Sequence, residues 1–154
     1  MSRAAFQVLV LPYRQHENSF EFAVFSRHDY SCWQGIAGGG EDNETPLQAA
    51  IREAYEEAAI PVESQFIPLD TVNSIPVIYF KDSHLWGDHI YVIPEYSFGV
   101  NCTACSIKTS VEHKEFRWLP FAEAMELLNY QSNQTALWEL NQKVHGLGPR
   151  DKSV

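Results

Sequence analysis

Short apolar runs separated by polar segments open the chain. Residues 6–13 and 20–26 are rich in Phe, Val and Leu and flank the polar stretch 14–19, the pattern of a hairpin or of two neighbouring strands. A polar loop around 29–31 leads to Trp33 and then to Gly35-Ile36-Ala37-Gly38-Gly39-Gly40. From Thr45 to about Ala58 the period becomes helical, with Leu47, Ala50, Ile51, Ala54 and Ala58 on one stripe. The start is well marked: Thr45 is placed as N-cap, Pro46 takes the first helical position, and Gln48 completes a capping box. Ile60-Pro61 ends the helix, because a residue before proline is pushed out of helical geometry. Strand-like runs follow at 66–69, 76–80, 89–100 and 116–119, then helical patterns at 121–129 and 133–145, closed by Gly146. Residues 148–154 read as a loose tail after a domain spanning 1–147. Strands on both sides of a central helix, with more helix at the end, predict an α/β fold: one sheet covered on two faces.

Composition narrows the function classes. A length of 154 residues suits one domain. With 45% hydrophobic residues and 20% charged, disorder, collagen-like repeats and coiled coils are excluded. Eleven basic residues face 20 acidic ones, a net charge of −9, which argues against a nucleic-acid polymer as partner. A small polyanionic substrate remains compatible if a local clamp or metal ions offset the negative field. The apolar segment 4–12 is broken by Gln7 and lacks the basic start of a signal peptide. No run approaches the ~20 apolar residues of a membrane span. A cytoplasmic protein without membrane contact is expected, with a small phosphorylated molecule as ligand and a homodimer as the candidate assembly.

The helix face opposite the apolar stripe carries the candidate chemistry. Glu53, Glu56 and Glu57 lie at i, i+3 and i+4, so their carboxylates are expected on one side, within reach of one another. Like charges this close need a positive partner. Arg52, four residues before Glu56, is one; a divalent cation is another, since carboxylate oxygens suit Mg²⁺ or Mn²⁺. A solvated acidic face is the plain alternative. Counting back from Arg52, Glu44 stands eight positions earlier and Gly38 fourteen. The segment 38–60 thereby resembles the Nudix box: Gly, any five, Glu, any seven, Arg-Glu, aliphatic, any, Glu-Glu, any, Gly, aliphatic. Eight of its nine specified positions match; chance odds are on the order of 10⁻⁸ per start point. The exception is Ala59, where the box has glycine. Either Ala59 takes the left-handed conformation, at about 1 kcal/mol, or Pro61 ends the helix another way.

The resemblance implies a Nudix fold, an α/β/α sandwich around a mixed β-sheet, and Mg²⁺-dependent hydrolysis of a diphosphate linkage, with Mn²⁺ as substitute. It implies Glu53 and Glu57 as direct metal ligands, Glu56 as ligand or supporting group, and Arg52 with Glu44 as the residues holding the carboxylates. Gly38 and its neighbours Ala37 and Gly39 would let backbone approach the metal and substrate. Trp33-Gln34, Glu112-His113, Trp118-Leu119 and Ser132-Asn133 are similar to a bacterial branch acting on dihydroneopterin triphosphate or dATP, in which the glutamate matching Glu112 is a further metal ligand. A nucleoside or pterin triphosphate is therefore the expected substrate. Pro76 lies about where ADP-ribose-type members carry a proline, so a nucleoside diphosphate compound is the alternative. A non-catalytic binding domain would be expected to lose box carboxylates, and Glu44, Glu53, Glu56 and Glu57 are all present.

Other signals are weaker. Arg27, at the end of the second strand, is a candidate phosphate contact, and Trp33 and Trp86 are candidate stacking partners for a ring. His84 and His89 flank Trp86 and are candidates for a pocket border. Cys102-Thr103-Ala104-Cys105 has CxxC spacing without the second pair that zinc would need, so it is read as coincidence.

Overall fold

The computed structural model describes residues 2–27, 31–111 and 113–152. Its strands are β1 (Arg3–His16), β2 (Ser19–Arg27), β3 (Trp33–Gln34), β4 (Ile36–Glu41), β5 (Phe66–Pro76), β6 (Val92–Asn101) and β7 (His113–Leu119). The helices are α1 (Pro46–Ala58), α2 (Phe121–Leu127) and α3 (Gln131–Val144). Among the described residues the strands form one sheet in the order β3-β2-β1-β6-β5, with β4 paired to β1 and β7 to β2. β6 runs parallel to β1; the other pairings are antiparallel. The sheet is mixed, as expected.

β1 is the spine. Successive side chains of a strand face opposite ways, so Val8 and Val10 enter one apolar cluster, with Ala50 and Ala54 of α1. Leu9 and Leu11 enter the other, with Ala136, Leu137 and Leu140 of α3 and Ala124 of α2. Both β1 pairs are essentially fully buried. α1 therefore covers one face and α2 with α3 the other, giving an α/β/α sandwich.

Helix α1 begins as the sequence dictates. The Gln48 amide N–H donates to Thr45 Oγ1, and the Thr45 N–H donates to Gln48 Oε1. The buried stripe differs from the expected one: it is Ala49, Ala50, Ala54, Glu57 and Ala58, while Leu47 is 41% exposed. Small alanines let the helix lie close on β4 and β1. Ala59 adopts the left-handed conformation (φ 57°) and its N–H caps the helix, so the chain tolerates the strain there.

Three further differences from the sequence reading are physical. β5 continues well past residue 69 to Pro76. Val77–Tyr79, inside the run read as a strand, is a 3₁₀ turn, and Ser83–Trp86 is a second. Cys102 and Cys105 are joined by a disulfide rather than merely coincident in spacing. In the expected tail, Gln142 Nε2 donates to the carbonyls of Gly148 and Asp151. No described helix is long and apolar enough to cross a membrane.

Candidate active site

Arg52 organises the acidic face. Its Nε donates to Glu44 Oε2 at 2.7 Å and its Nη2 to Glu44 Oε1 at 2.9 Å. Nη2 also donates to the Gly39 carbonyl at 2.8 Å, and Nη1 to Glu53 Oε1 at 2.9 Å and Glu56 Oε1 at 3.2 Å. Glu44 is itself fixed by the Glu41 N–H at 2.8 Å. This planar fork, engaged on each side, is what arginine supplies and lysine does not. The Arg52 hydrogen bonds hold the Glu44 carboxyl below its usual range. The Glu44 bonds in turn, with Glu53, raise the proton affinity of Arg52 against the opposing effect of burial.

Glu57 is the most deeply set of the three carboxylates. It belongs to the buried stripe, only 4% exposed, because one further step around the helix turns it toward the sheet. Its Oε1 lies 4.0 Å from Nε2 of the buried His113. The segment before β7 is tied to the same end of α1: Lys108 N–H donates to the Ala58 carbonyl and Ser110 N–H to the Glu57 carbonyl. Among the described residues, no group of three or more acidic, histidine or cysteine side chains stands in a ligating cluster. Glu112, the expected further ligand, lies outside the described residues.

Two observations fit a hard divalent cation on this face. The candidate donors, Glu53, Glu56 and Glu57, offer only carboxylate oxygens. The Glu53 carboxyl also occupies the space a Cβ on Gly38 would fill, so glycine there brings backbone and carboxylate together as no other residue would.

β4 has a second side. On the α3 face a cavity of about 710 Å³ opens beside it, lined by Gln7, Arg27, Gln34, Ala37, Glu95 and Asn133 among others, a size suited to a small ligand. Tyr79, Phe80 and Tyr130 contribute aromatic wall. Asn133 Oδ1 accepts the Gly35 N–H at 2.8 Å, locking α3 to the segment before β4. The Arg3 guanidinium takes the space of a Gly39 Cβ, lies 5.0 Å from the Phe80 ring centroid and donates to Gln7 Oε1. Burial lowers its proton affinity, against the raising fields of Asp82 and Glu53. Glu95 is 5% exposed, and burial raises its carboxyl, against the lowering effect of the Gln7 hydrogen bond.

Of the expected ligand contacts, Arg27 and Ala37 line the cavity, and Gly38 and Gly39 back onto Glu53 and Arg3. Trp33 does not line it; its ring packs against the Arg117 guanidinium, 4.6 Å from the centroid. Trp86 Nε1 donates to the Arg3 carbonyl and its ring meets Phe80, so it supports the wall rather than forming it. His84 and His89 are not among the lining residues. Arg3, Gln7, Asn73 and Glu95 escaped the sequence reading. A polar Gln7 inside an otherwise apolar strand run was the one available signal.

Comparison with known proteins agrees with this arrangement. The profile of the NUDIX domain matches residues 3–139. A dihydroneopterin triphosphate diphosphatase of Haemophilus influenzae is 28% identical over 132 residues, covering 84% of this chain and 83% of that protein. A crystal structure from Listeria monocytogenes, assigned as a NUDIX hydrolase, superposes with a TM-score of 0.84 at 40% identity, covering 92% of this chain and 94% of that one. The Escherichia coli dihydroneopterin triphosphate pyrophosphohydrolase gives 0.71 at 25%, covering 90% and 97%. With the box on β4 and α1, the sandwich around it and a profile match over most of its length, this chain belongs to the Nudix family of pyrophosphohydrolases.

Proposed function

We propose that this enzyme hydrolyses a nucleoside or pterin triphosphate to the monophosphate and pyrophosphate, with Mg²⁺ as its metal and Mn²⁺ as substitute. The observation that carries this reading is the pairing, across one strand, of the Arg52-held carboxylates with a cavity sized for a ring. Similarity to dihydroneopterin triphosphate diphosphatases over most of the chain supports it. Glu53 and Glu57, with Glu56 alongside, would hold the cation, and Glu112 is assigned to the same set by the family likeness. A divalent metal supplies charge neutralisation for the polyphosphate and a bound water of lowered pKa. The chain does the rest. Arg52 and Glu44 hold Glu53 against Gly38, so the carboxylate needs no reorganisation when substrate arrives. Arg27 lines the cavity wall, which supports its assignment as the contact to phosphate oxygens.

The second reading is an ADP-ribose-type substrate. Pro76, which ends β5 just before the 3₁₀ turn carrying Tyr79 of the cavity wall, favours it. Assay of deoxynucleoside triphosphates, dihydroneopterin triphosphate and ADP-ribose with Mg²⁺ separates the two: pyrophosphate release from a triphosphate is expected, and AMP release from ADP-ribose alone would overturn the first. We also propose a homodimer through the exposed apolar excursion that includes Ile78, Tyr79 and Tyr91; light scattering giving one 17.6 kDa species would refute it.

A further inference from the structure

Three polar side chains lie in one row beneath the cavity. The strand register sets Gln7 of β1 opposite Glu95 of β6, and Glu95 opposite Asn73 of β5, and all three line the cavity. The middle member is a carboxylate, an expensive group to bury without donors. Gln7 supplies one, Nε2 donating to Glu95 Oε2 at 3.0 Å. The orientation of that amide is fixed from behind, because Gln7 Oε1 accepts from Arg3 Nη2 at 3.0 Å. A carboxylate offers about four acceptor sites, and among the described residues Gln7 is the donor Glu95 has. Glu95 takes no part in the Arg52 cluster, which sits across β4 on the other face. An acceptor fixed beside a ring-sized space with aromatic walls calls for donors from the ligand.

We propose that Glu95 reads the ring of the substrate and selects a fused 2-amino-4-oxopyrimidine, as in guanine or pterin, whose ring N–H and exocyclic amine stand side by side. Both are donors and match the two oxygens of one carboxylate. Adenine and cytosine present an acceptor nitrogen beside their amine, which would face a carboxylate oxygen across a buried contact. The inference rests on the triphosphate reading for its chemistry and adds the ring.

The test is kcat/KM for dGTP, dihydroneopterin triphosphate, dATP and dCTP with Mg²⁺, on the native enzyme and on Glu95→Gln. The native enzyme should prefer dGTP or dihydroneopterin triphosphate over dATP by about 10- to 100-fold, the usual discrimination of a bidentate contact. Glu95→Gln should collapse that ratio to within about threefold of unity. Whichever of the two is preferred identifies the source of the ring. Gln7→Leu, which leaves the carboxylate but frees its orientation, should weaken the same ratio in part. An unchanged ratio in Glu95→Gln, or a native preference for dATP, overturns the proposal. Calorimetric binding of dGMP against dAMP without metal gives a readout independent of turnover. If no triphosphate is cleaved but dGMP still binds tighter through Glu95, the triphosphate reading fails and the ring assignment stands. If triphosphates are cleaved and dGMP and dAMP bind alike, the reverse holds.

Discussion

One guanidinium serves four partners in the acidic cluster, and the consequence is that its carboxylates differ in weight. Glu53 is held between Arg52 and the Gly38 backbone, and Glu57 is buried at 4.0 Å from His113. Glu41 reaches Arg52 only at 3.6 Å from a partly solvated position. Glu53→Gln and Glu57→Gln should each lower kcat by about 10²-fold or more, the loss expected when an electrostatic contact in the transition state is removed. Glu41→Gln should change it by no more than about threefold, as for a surface ion pair. Steady-state kinetics on the three variants decides the matter; equal, small losses would mean that the negative field matters and the particular groups do not. Ala59 invites a different measurement. Its φ of 57° is unfavourable for any residue with a Cβ, so Ala59→Gly should stabilise the fold by about 0.5–1 kcal/mol after the extra flexibility of unfolded glycine is offset. Urea denaturation reads this directly.

Beyond their apolar packing, β5 and α3 are tied by one buried carboxylate. The register of β5 against β6 slips between Pro68 and Val72, and Glu139 of α3 binds there. Its Oε2 accepts the Asp70 N–H at 2.5 Å, and its Oε1 accepts the Thr71 N–H at 2.9 Å and the Thr71 hydroxyl at 2.6 Å. Glu139→Ala strands those donors and should destabilise the protein by about 2–4 kcal/mol. Burial pushes the Glu139 carboxyl up, but its hydrogen bonds and Lys143 outweigh that and hold it below the usual range. In the unfolded chain it binds its proton more readily, so its contribution is complete above the ordinary carboxylate pKa of about 4.3 and is lost as pH falls through the lower folded value. Glu95 has the opposite sign. Raised by burial, it favours the fold when protonated, and that benefit fades as pH rises from the ordinary value through the folded one. Unfolding free energies against pH should show Glu139→Gln flattening the acid limb and Glu95→Gln removing a loss that grows toward neutrality.

The same elements explain what the sequence disclosed. α1 was legible because its start is written in adjacent residues, Thr45, Pro46 and Gln48, whose cap forms locally. The box residues were legible by spacing, yet the inward turn of Glu57 depends on what covers the helix. β5 was half missed because Asp70, Asn73 and Ser74 hide an alternating edge strand that exists only through β6. The run 76–80 misled because Ile78 is apolar but 82% exposed. Gln7, Asn73 and Glu95 were invisible as a group, since topology alone brings three distant strands into register.

Across the protein as a whole, the Arg52-held carboxylates and the cavity lie on the two faces of one sheet, and the proposed function divides its work between them. Chelation with EDTA should abolish pyrophosphate release, and Mg²⁺ or Mn²⁺ should restore it, because the carboxylates alone do not activate water; undiminished turnover in metal-free buffer would contradict this. Ring binding on the opposite face should survive chelation. The dividing wall is β4, where Gly38 admits Glu53 from one side and Gly39 admits Arg3 from the other. A methyl group at position 38 would therefore damage turnover, and one at 39 would disturb the Arg3–Gln7–Glu95 relay and damage selectivity. Such a wall lets mutation explore one duty while the other stays under constraint. On the proposed assignments, exchanging the row at 7, 73 and 95 should redirect which ring is accepted while the machinery that breaks the anhydride bond is left in place, a route open to an engineer.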